Sequence, residues 1–277
     1  MFLDIRSEYG LSACELHMES NQFSAAFNLV DDENQALIST VRDQVKVLGV
    51  HLPYLDLNPI SLNPATARMA IDIYLQSIRI AALVSADYAV FHARSAGTGL
   101  LARGRELEMW AGALKILAEA ADRENLAFCM ENADDIRLLD EVEGLVDSVP
   151  GIRMGLDIGH LFERERLTSP LARAAGRLCD NYLPAFRLTG RGVPFYQAKQ
   201  WNKFLSERKE QLGCVHLHNY KDGRAHYPVS AGKIDMKRIL PSIAAAGQIP
   251  VILEADYARF GIDWLHKDIA FIKEYLS

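Results

Sequence analysis

Basic residues are in the minority in this chain. Thirty lysines and arginines stand against 36 aspartates and glutamates, a net charge of −6. That balance argues against a broad phosphate-binding surface, and so against a nucleic acid as partner. Cysteine is scarce too: Cys14, Cys129, Cys179 and Cys214 show no CxxC pairing. Cys129 and Cys214 fall inside predicted strands, where a reduced thiol packs as a small hydrophobe. A reducing cytoplasm is the expected setting. The chain has no run of about eighteen apolar residues, so no membrane span is expected. Met1 to Arg6 shows no basic segment leading into an apolar one, so no signal peptide is expected. Low-complexity tracts and domain-breaking linkers are also missing.

What is there reads as one globular domain over residues 1–277, with 49% hydrophobic and 24% charged residues. Short apolar runs alternate with amphipathic ones. The strands are expected at Ala13–Met18, Val47–His51, Tyr88–His92, Leu126–Met130, Ile152–Leu156, Leu212–Leu217 and Pro250–Leu253. Helices are expected at Phe2–Tyr9, capped by Gly10, and over Asp31–Val47. They continue from Asn63-Pro64 to Leu83, Glu106–Arg123, Ile136–Val146, Ile234–Ala246 and Ile262–Tyr275, with pieces near Leu171–Leu178 and Ala198–Lys209. Seven strand–helix alternations after a lone helix imply parallel βαβ units.

The strand ends carry the chemistry. His51, His92, Glu131, Asp157, His216 or His218, and Glu254 each close an apolar run. One histidine at a strand end is ordinary; six successive ends with ligand-type residues are not. Only a closed sheet brings so many C-terminal ends to one point, which favours a (β/α)8 barrel over an open doubly wound sheet. Glu131, Asp157, Glu254 and an imidazole from His216 or His218 suit Mn, Co, Zn, Fe or Mg. Without a cation, three grouped carboxylates repel and take up protons. His51, His92, His160 and His226 are candidates to support the ligands, bind substrate or hold further metals. His216 and His218, at i and i+2 of one run, are expected to point the same way, before a loop with Gly223, Pro228 and Gly232. Arg94-Ser95-Ala96-Gly97-Thr98-Gly99 is a candidate anion cradle that matches no P-loop, and Arg187 and Arg191 are lid candidates.

These segments resemble a known family. Val50-His51-Leu52-Pro53-Tyr54, Val90-Phe91-His92, Met130-Glu131-Asn132, Leu156-Asp157-Ile158-Gly159-His160, His216-Leu217-His218-Asn219 and Ile252-Leu253-Glu254 are similar to the xylose isomerase-like TIM barrel superfamily. That group holds sugar isomerases and epimerases and the endonuclease IV enzymes. The resemblance places a central metal on Glu131, Asp157, a histidine of His216/His218, and Glu254. It places endonuclease-type further metals on residues matching His51, His92 and His160 and on an Asp-x-His pair. His226 matches that pair's histidine, but Arg224 stands where the aspartate belongs, with Asp222 the nearest carboxylate. The family's first strand has no counterpart before Phe2, so the barrel's first strand is expected to be missing or displaced. An open seam calls for a covering element or a partner chain, such as a second copy.

The resemblance implies a divalent-metal-dependent isomerase or epimerase of a small sugar, sugar acid or related compound. Glu131 and Glu254 would remove and return a proton through an enediolate-like intermediate. His160 and His218 would steady substrate hydroxyls, and Arg224 would meet an acidic group. An endonuclease IV-like phosphodiesterase and a non-catalytic ligand-binding barrel are the alternatives.

Overall fold

The computed structural model describes residues 2–18, 32–93, 103–133, 139–164, 205–221 and 224–276. In chain order its strands are β1 (Ala13–His17), β2 (Val47–His51), β3 (Tyr88–His92), β4 (Ala127–Glu131), β5 (Ile152–Asp157), β6 (Leu212–Leu217), β7 (Asn219–Lys221), β8 (Arg224–Tyr227) and β9 (Val251–Leu253). The helices are α1 (Phe2–Tyr9), α2 (Asp32–Arg42), α3 (Pro64–Leu83), α4 (Arg103–Arg123), α5 (Leu139–Ser148), α6 (Ile158–Arg164), α7 (Met236–Ala246), α8 (Tyr257–Phe260) and α9 (Ile262–Leu276).

One seven-stranded sheet runs β1-β2-β3-β4-β5-β6-β9, and β7 pairs with β8 in a separate hairpin. The pairs from β1 through β5 are parallel. The order follows the chain, as in an α/β barrel; a doubly wound sheet reverses its order at a switch point. The barrel-type reading therefore holds, with seven strands in that sheet among the described residues. By contact, the chain forms two compact units: Met1–Leu156 with Leu212–Val215 and Pro250–Ile252, and Asp157–Gln211 with His216–Ile249 and Leu253–Ser277.

In the first unit, strand alternation sorts the side chains onto two faces. Register aligns His17 with His51 and His92 with Glu131, which puts these chemistry-bearing residues on one face. Beneath them that face is apolar: Tyr88, Val90, Cys129 and Cys214 cluster there against Val47 and Ala127. A hydrogen bond with Cys214, together with burial, holds the Cys129 thiol well above its ordinary pKa. Gly49 leaves room for the Tyr88 ring, which a Cβ would overlap. The Tyr88 hydroxyl donates to Glu15 Oε2 at 2.9 Å. Leu48, Val50, Ala89, Phe91, Phe128 and Met130 fall on the opposite face and are fully buried. Phe91 meets Tyr74 of α3 and Trp110 of α4 edge-on, with ring centroids 5.0 and 5.8 Å apart. Such pairs add about 0.5–1.5 kcal/mol each beyond their burial. Strands packed on both faces need no alternation in hydrophobicity, which is why these runs read as continuous.

Local signals explain the helix ends. Asn63 Oδ1 accepts from Ala65 N at 3.0 Å, with Pro64 supplying the pre-set φ of the first turn. Gly10 ends α1 at φ 65°, as expected of a left-handed cap. The expected helix from Glu106 begins earlier, at Arg103, and the one expected to reach Val47 ends at Arg42.

The second unit holds four elements the sequence reading missed. The helix α6 starts directly after β5, the segment after His218 forms the β7–β8 hairpin, and α8 is a single turn. Asn219 anchors the hairpin's return. Its Nδ2 donates to the carbonyls of Val229 (2.8 Å) and Ile234 (3.2 Å), and its Oδ1 accepts from Tyr220 N (2.7 Å) and Ile234 N (2.9 Å). Asp268 of α9 ties the same stretch down. Fully buried, it accepts from Val229 N at 2.7 Å, Ser230 N at 2.9 Å, Ser230 Oγ at 2.6 Å and the Tyr257 hydroxyl at 2.7 Å. Burial and the Asp268 charge hold the Tyr257 hydroxyl protonated well above the ordinary tyrosine range.

Four donors converging on one carboxylate set up a clean test. Asp268→Asn turns an amide N–H toward two of them and is expected to cost about 2–4 kcal/mol in urea unfolding. Tyr257→Phe, which removes one donor and leaves the others paired, is expected to cost about 1 kcal/mol. Equal losses in the two variants would show that the convergence on Asp268 carries no special weight.

Candidate metal centre

His51, His92 and Glu131 close three adjacent strands of the first unit and lie buried together. Their ligand-type atoms fall within 4.8 Å of one another. His51 Nε2 is 3.0 Å from His92 Nε2 and 3.8 Å from Glu131 Oε2, and His92 Nε2 is 3.1 Å from the same oxygen. Ligands about 2.0–2.6 Å from one ion stand roughly 3–4 Å apart, which is the spacing seen here. His51 Nδ1 lies 3.0 Å from the Leu52 carbonyl. A carbonyl only accepts, so the ring's proton sits on Nδ1 and Nε2 presents a lone pair. His17 stacks on His51 with centroids 4.2 Å apart, and Tyr54 leans on His92 at 4.6 Å. These rings fix the imidazoles in place.

In the second unit Asp157 ends β5, His216 lies in β6 and Glu254 follows β9. Their ligand-type atoms also fall within 4.8 Å of one another. His216 Nδ1 is 3.3 Å from Glu254 Oε2. Asp157 doubles as the cap of α6: its Oδ1 accepts the His160 N–H at 2.6 Å. Among the described residues, Glu254 Oε2 is buried and accepts no hydrogen bond. Two carboxylates and an imidazole gathered away from water repel unless a cation sits among them. A divalent ion with mixed oxygen and nitrogen ligands fits this set.

A third group adjoins it. Ring nitrogens of His160, His218 and His226 lie within 4.8 Å of one another. His218 Nε2 is 3.2 Å from Asp157 Oδ1. Burial opposes a charge on the His218 ring, but the Asp157 and Glu254 carboxylates more than offset it and lift its pKa to about 9. His218 Nδ1 stands between the His226 N–H at 2.9 Å and the Asn219 carbonyl at 3.2 Å, and the carbonyl adds to the rise. Burial and the neighbouring His218 hold the His226 ring below the ordinary imidazole range.

The sequence-predicted residues therefore fall into sets. His51, His92 and Glu131 meet in the first unit; Asp157, His216 and Glu254, and His160, His218 and His226, meet in the second. His216 and His218 both approach Asp157. The strand β6 stops at Leu217, and the two rings join different groups. Arg224 opens β8 and is exposed. The cradle at 94–99, Asp222, Arg187 and Arg191 lie outside the described residues. Sequence reasoning passed over His17, although it ends β1 as His51 ends β2. It also missed the roles of Asn219 and Gly159. A Cβ at Gly159 would overlap the His218 ring, so glycine there seats that imidazole.

No curated protein matches the sequence. Solved structures do, at identities that speak to the fold alone. D-psicose 3-epimerase with D-tagatose, from Clostridium cellulolyticum, superposes with a TM-score of 0.68 at 12% identity, covering 100% of this chain and 93% of that one. A D-tagatose 3-epimerase-like protein gives 0.65 at 17%, covering 99% and 94%. A Thermus thermophilus protein soaked with zinc chloride gives 0.64 at 18%, covering 99% and 91%. The family model for the xylose isomerase-like TIM barrel matches residues 3–275. With nearly its whole length matched, the chain belongs to the xylose isomerase-like TIM barrel family.

Proposed function

We propose that the chain is a divalent-metal-dependent isomerase or epimerase of a small sugar, sugar acid or related compound, acting as one domain. The observation that carries this reading is the convergence of Asp157, His216 and Glu254 within 4.8 Å. Glu131 is proposed as the fourth ligand on the family resemblance. In support, it pairs in register with Gly155, two residues ahead of Asp157 on β5. The sugar 3-epimerases among the similar structures support the substrate class. The zinc-soaked relative supports a metal without naming which one serves here.

When bound, such an ion polarises a substrate carbonyl and its neighbouring hydroxyl, which acidifies the C–H between them. The chain's own residues do the rest. The Glu254 side chain is 21% exposed, so substrate can reach its carboxylate, which accepts the proton. Glu131 is the residue proposed to return a proton. Asp157, held through Oδ1 by the His160 amide, is a fixed ligand and not a proton carrier. His160 steadies a substrate hydroxyl, and Arg224 at the exposed start of β8 receives an acidic group where the substrate has one.

An endonuclease-like phosphodiesterase is the second reading. The His51, His92 and Glu131 group favours it, because that spacing suits an additional ion. Arg224 argues the other way: a guanidinium stays protonated, repels a cation and cannot replace a ligating aspartate.

Two experiments separate these readings. Glu254→Gln can still coordinate through its amide oxygen but cannot accept a proton at neutral pH. It is expected to lose at least about 100-fold in kcat on a sugar panel while metal content stays near wild type. Near-normal turnover would remove Glu254 from the base role. Metal analysis is expected to give fewer than three ions per chain, with no nicking of abasic-site DNA. Three stoichiometric ions, or nicking that EDTA stops, would promote the phosphodiesterase.

A further inference from the structure

We propose that the β7–β8 hairpin and α8 carry a phosphate-binding rim made of Lys221, Arg224 and Arg259, so that the substrate is a phosphorylated sugar. The sugar part of this rests on the isomerase reading; the phosphate site stands on observations of its own.

The chain as a whole is acidic, with a net charge of −6. Against that background the hairpin sets two cations face to face. Lys221 and Arg224 are Cα partners on antiparallel strands, and both are exposed. Like charges directly opposite each other destabilise a strand pair. A third exposed cation, Arg259, stands on α8. Among the described residues none of the three is held in an ion pair. Asp256, three residues ahead of Arg259, turns its Oδ1 to the main-chain N–H of Arg259 at 3.2 Å. Asp222 lies outside the described residues.

Two aromatic rings gather these cations. Tyr227 of β8 and Phe260 of α8 pack with ring centroids 4.7 Å apart. Lys221 Nζ lies 5.9 Å from the centre of the Tyr227 ring, and the Arg259 guanidinium carbon 5.5 Å from that of Phe260. A ring face attracts a cation without neutralising it, so the N–H groups stay available to an anion. The hairpin is irregular where this happens. Its register shifts between Asn219 and Lys221, and His226 takes φ 54°. The ring that Lys221 covers belongs to the ladder partner of Asn219, not to its own partner Arg224.

Three positive charges suit a phosphate better than a carboxylate. A phosphate ester carries about −1.5 to −2 charge at neutral pH and three accepting oxygens. Guanidinium groups take such oxygens two at a time. The rim is also tied to the proposed base. His226, between Arg224 and Tyr227, meets the Glu254 carbonyl through Nδ1 at 3.0 Å, and its own carbonyl accepts the Asp256 N–H at 2.9 Å.

The full chain is titrated with inorganic phosphate and followed by 31P NMR, with EDTA present so that no metal ion holds the anion. Binding is expected, and Lys221→Gln and Arg259→Gln are each expected to weaken it about 10-fold. Tyr227→Leu, which keeps every charge and removes a ring, is expected to weaken it about 2–5-fold. Lys237→Gln, at an exposed position of α7, removes the same charge elsewhere and is expected to change nothing. No phosphate binding by the wild type, or equal effects of Lys221→Gln and Lys237→Gln, would overturn the rim. Turnover is then measured with Mn2+ on pentoses and hexoses, each free and as its phosphate ester. The esters are expected to be preferred at least about 10-fold in kcat/KM, with Arg259→Gln raising KM for the ester while kcat holds. Free sugars turned over as well as their esters would overturn the substrate assignment. So would abasic-site DNA that binds more tightly than phosphate through the same three residues. If phosphate binds as described but nothing is turned over, the isomerase reading fails and the phosphate site stands.

Discussion

A buried carboxylate must have its charge answered, and the second unit is built around that demand at Asp157. Its Oδ1 accepts the His160 amide at 2.6 Å, and His218 Nε2 lies 3.2 Å from the same oxygen. The His226 amide and the Asn219 carbonyl both meet Nδ1 of that ring, and Gly159 leaves space for it. The sequence Asp157-Ile158-Gly159-His160 packs a ligand candidate, a ring seat and a helix cap into four residues.

The same economy governs the first unit. A strand buried on both faces presents alternate residues to two environments. On one face Phe91 meets the helices and Phe128, and on the other Val90 and Cys129 lead up to His92 and Glu131. Parallel pairing places those strand ends side by side, so their imidazoles and carboxylate meet without any loop having to deliver them. The stacked His17 and the tilted Tyr54 then limit the ring rotations. Preorganisation of this kind lets a site bind an ion without first ordering its ligands.

The family hosts both isomerases and nucleases, so fold alone does not choose a chemistry. The choice turns on particular side chains. Arg224 is exposed at the start of β8, and the nearby imidazoles face one another and Asp157.

The seven strands of the main sheet were legible in the sequence to within a residue, because short apolar runs between amphipathic segments mark them. The ligand-type residues were legible too, since each closes such a run: His51, His92, Glu131, Asp157 and Glu254 needed no structure to be found. The β7–β8 hairpin was not, because Gly223 and Pro228 look like loop and its strands are three and four residues long. Nor could spacing tell His216 from His218. Two residues apart, they would share a face in any strand that continued, and only the end of β6 at Leu217 separates them. The sequence by itself determined which side chains stand at the strand ends, through local patterning that periodicity reveals. The tertiary structure alone decided which nitrogen of which histidine faces a carboxylate, because that depends on a left-handed turn at His226 and on contacts between residues distant in the chain.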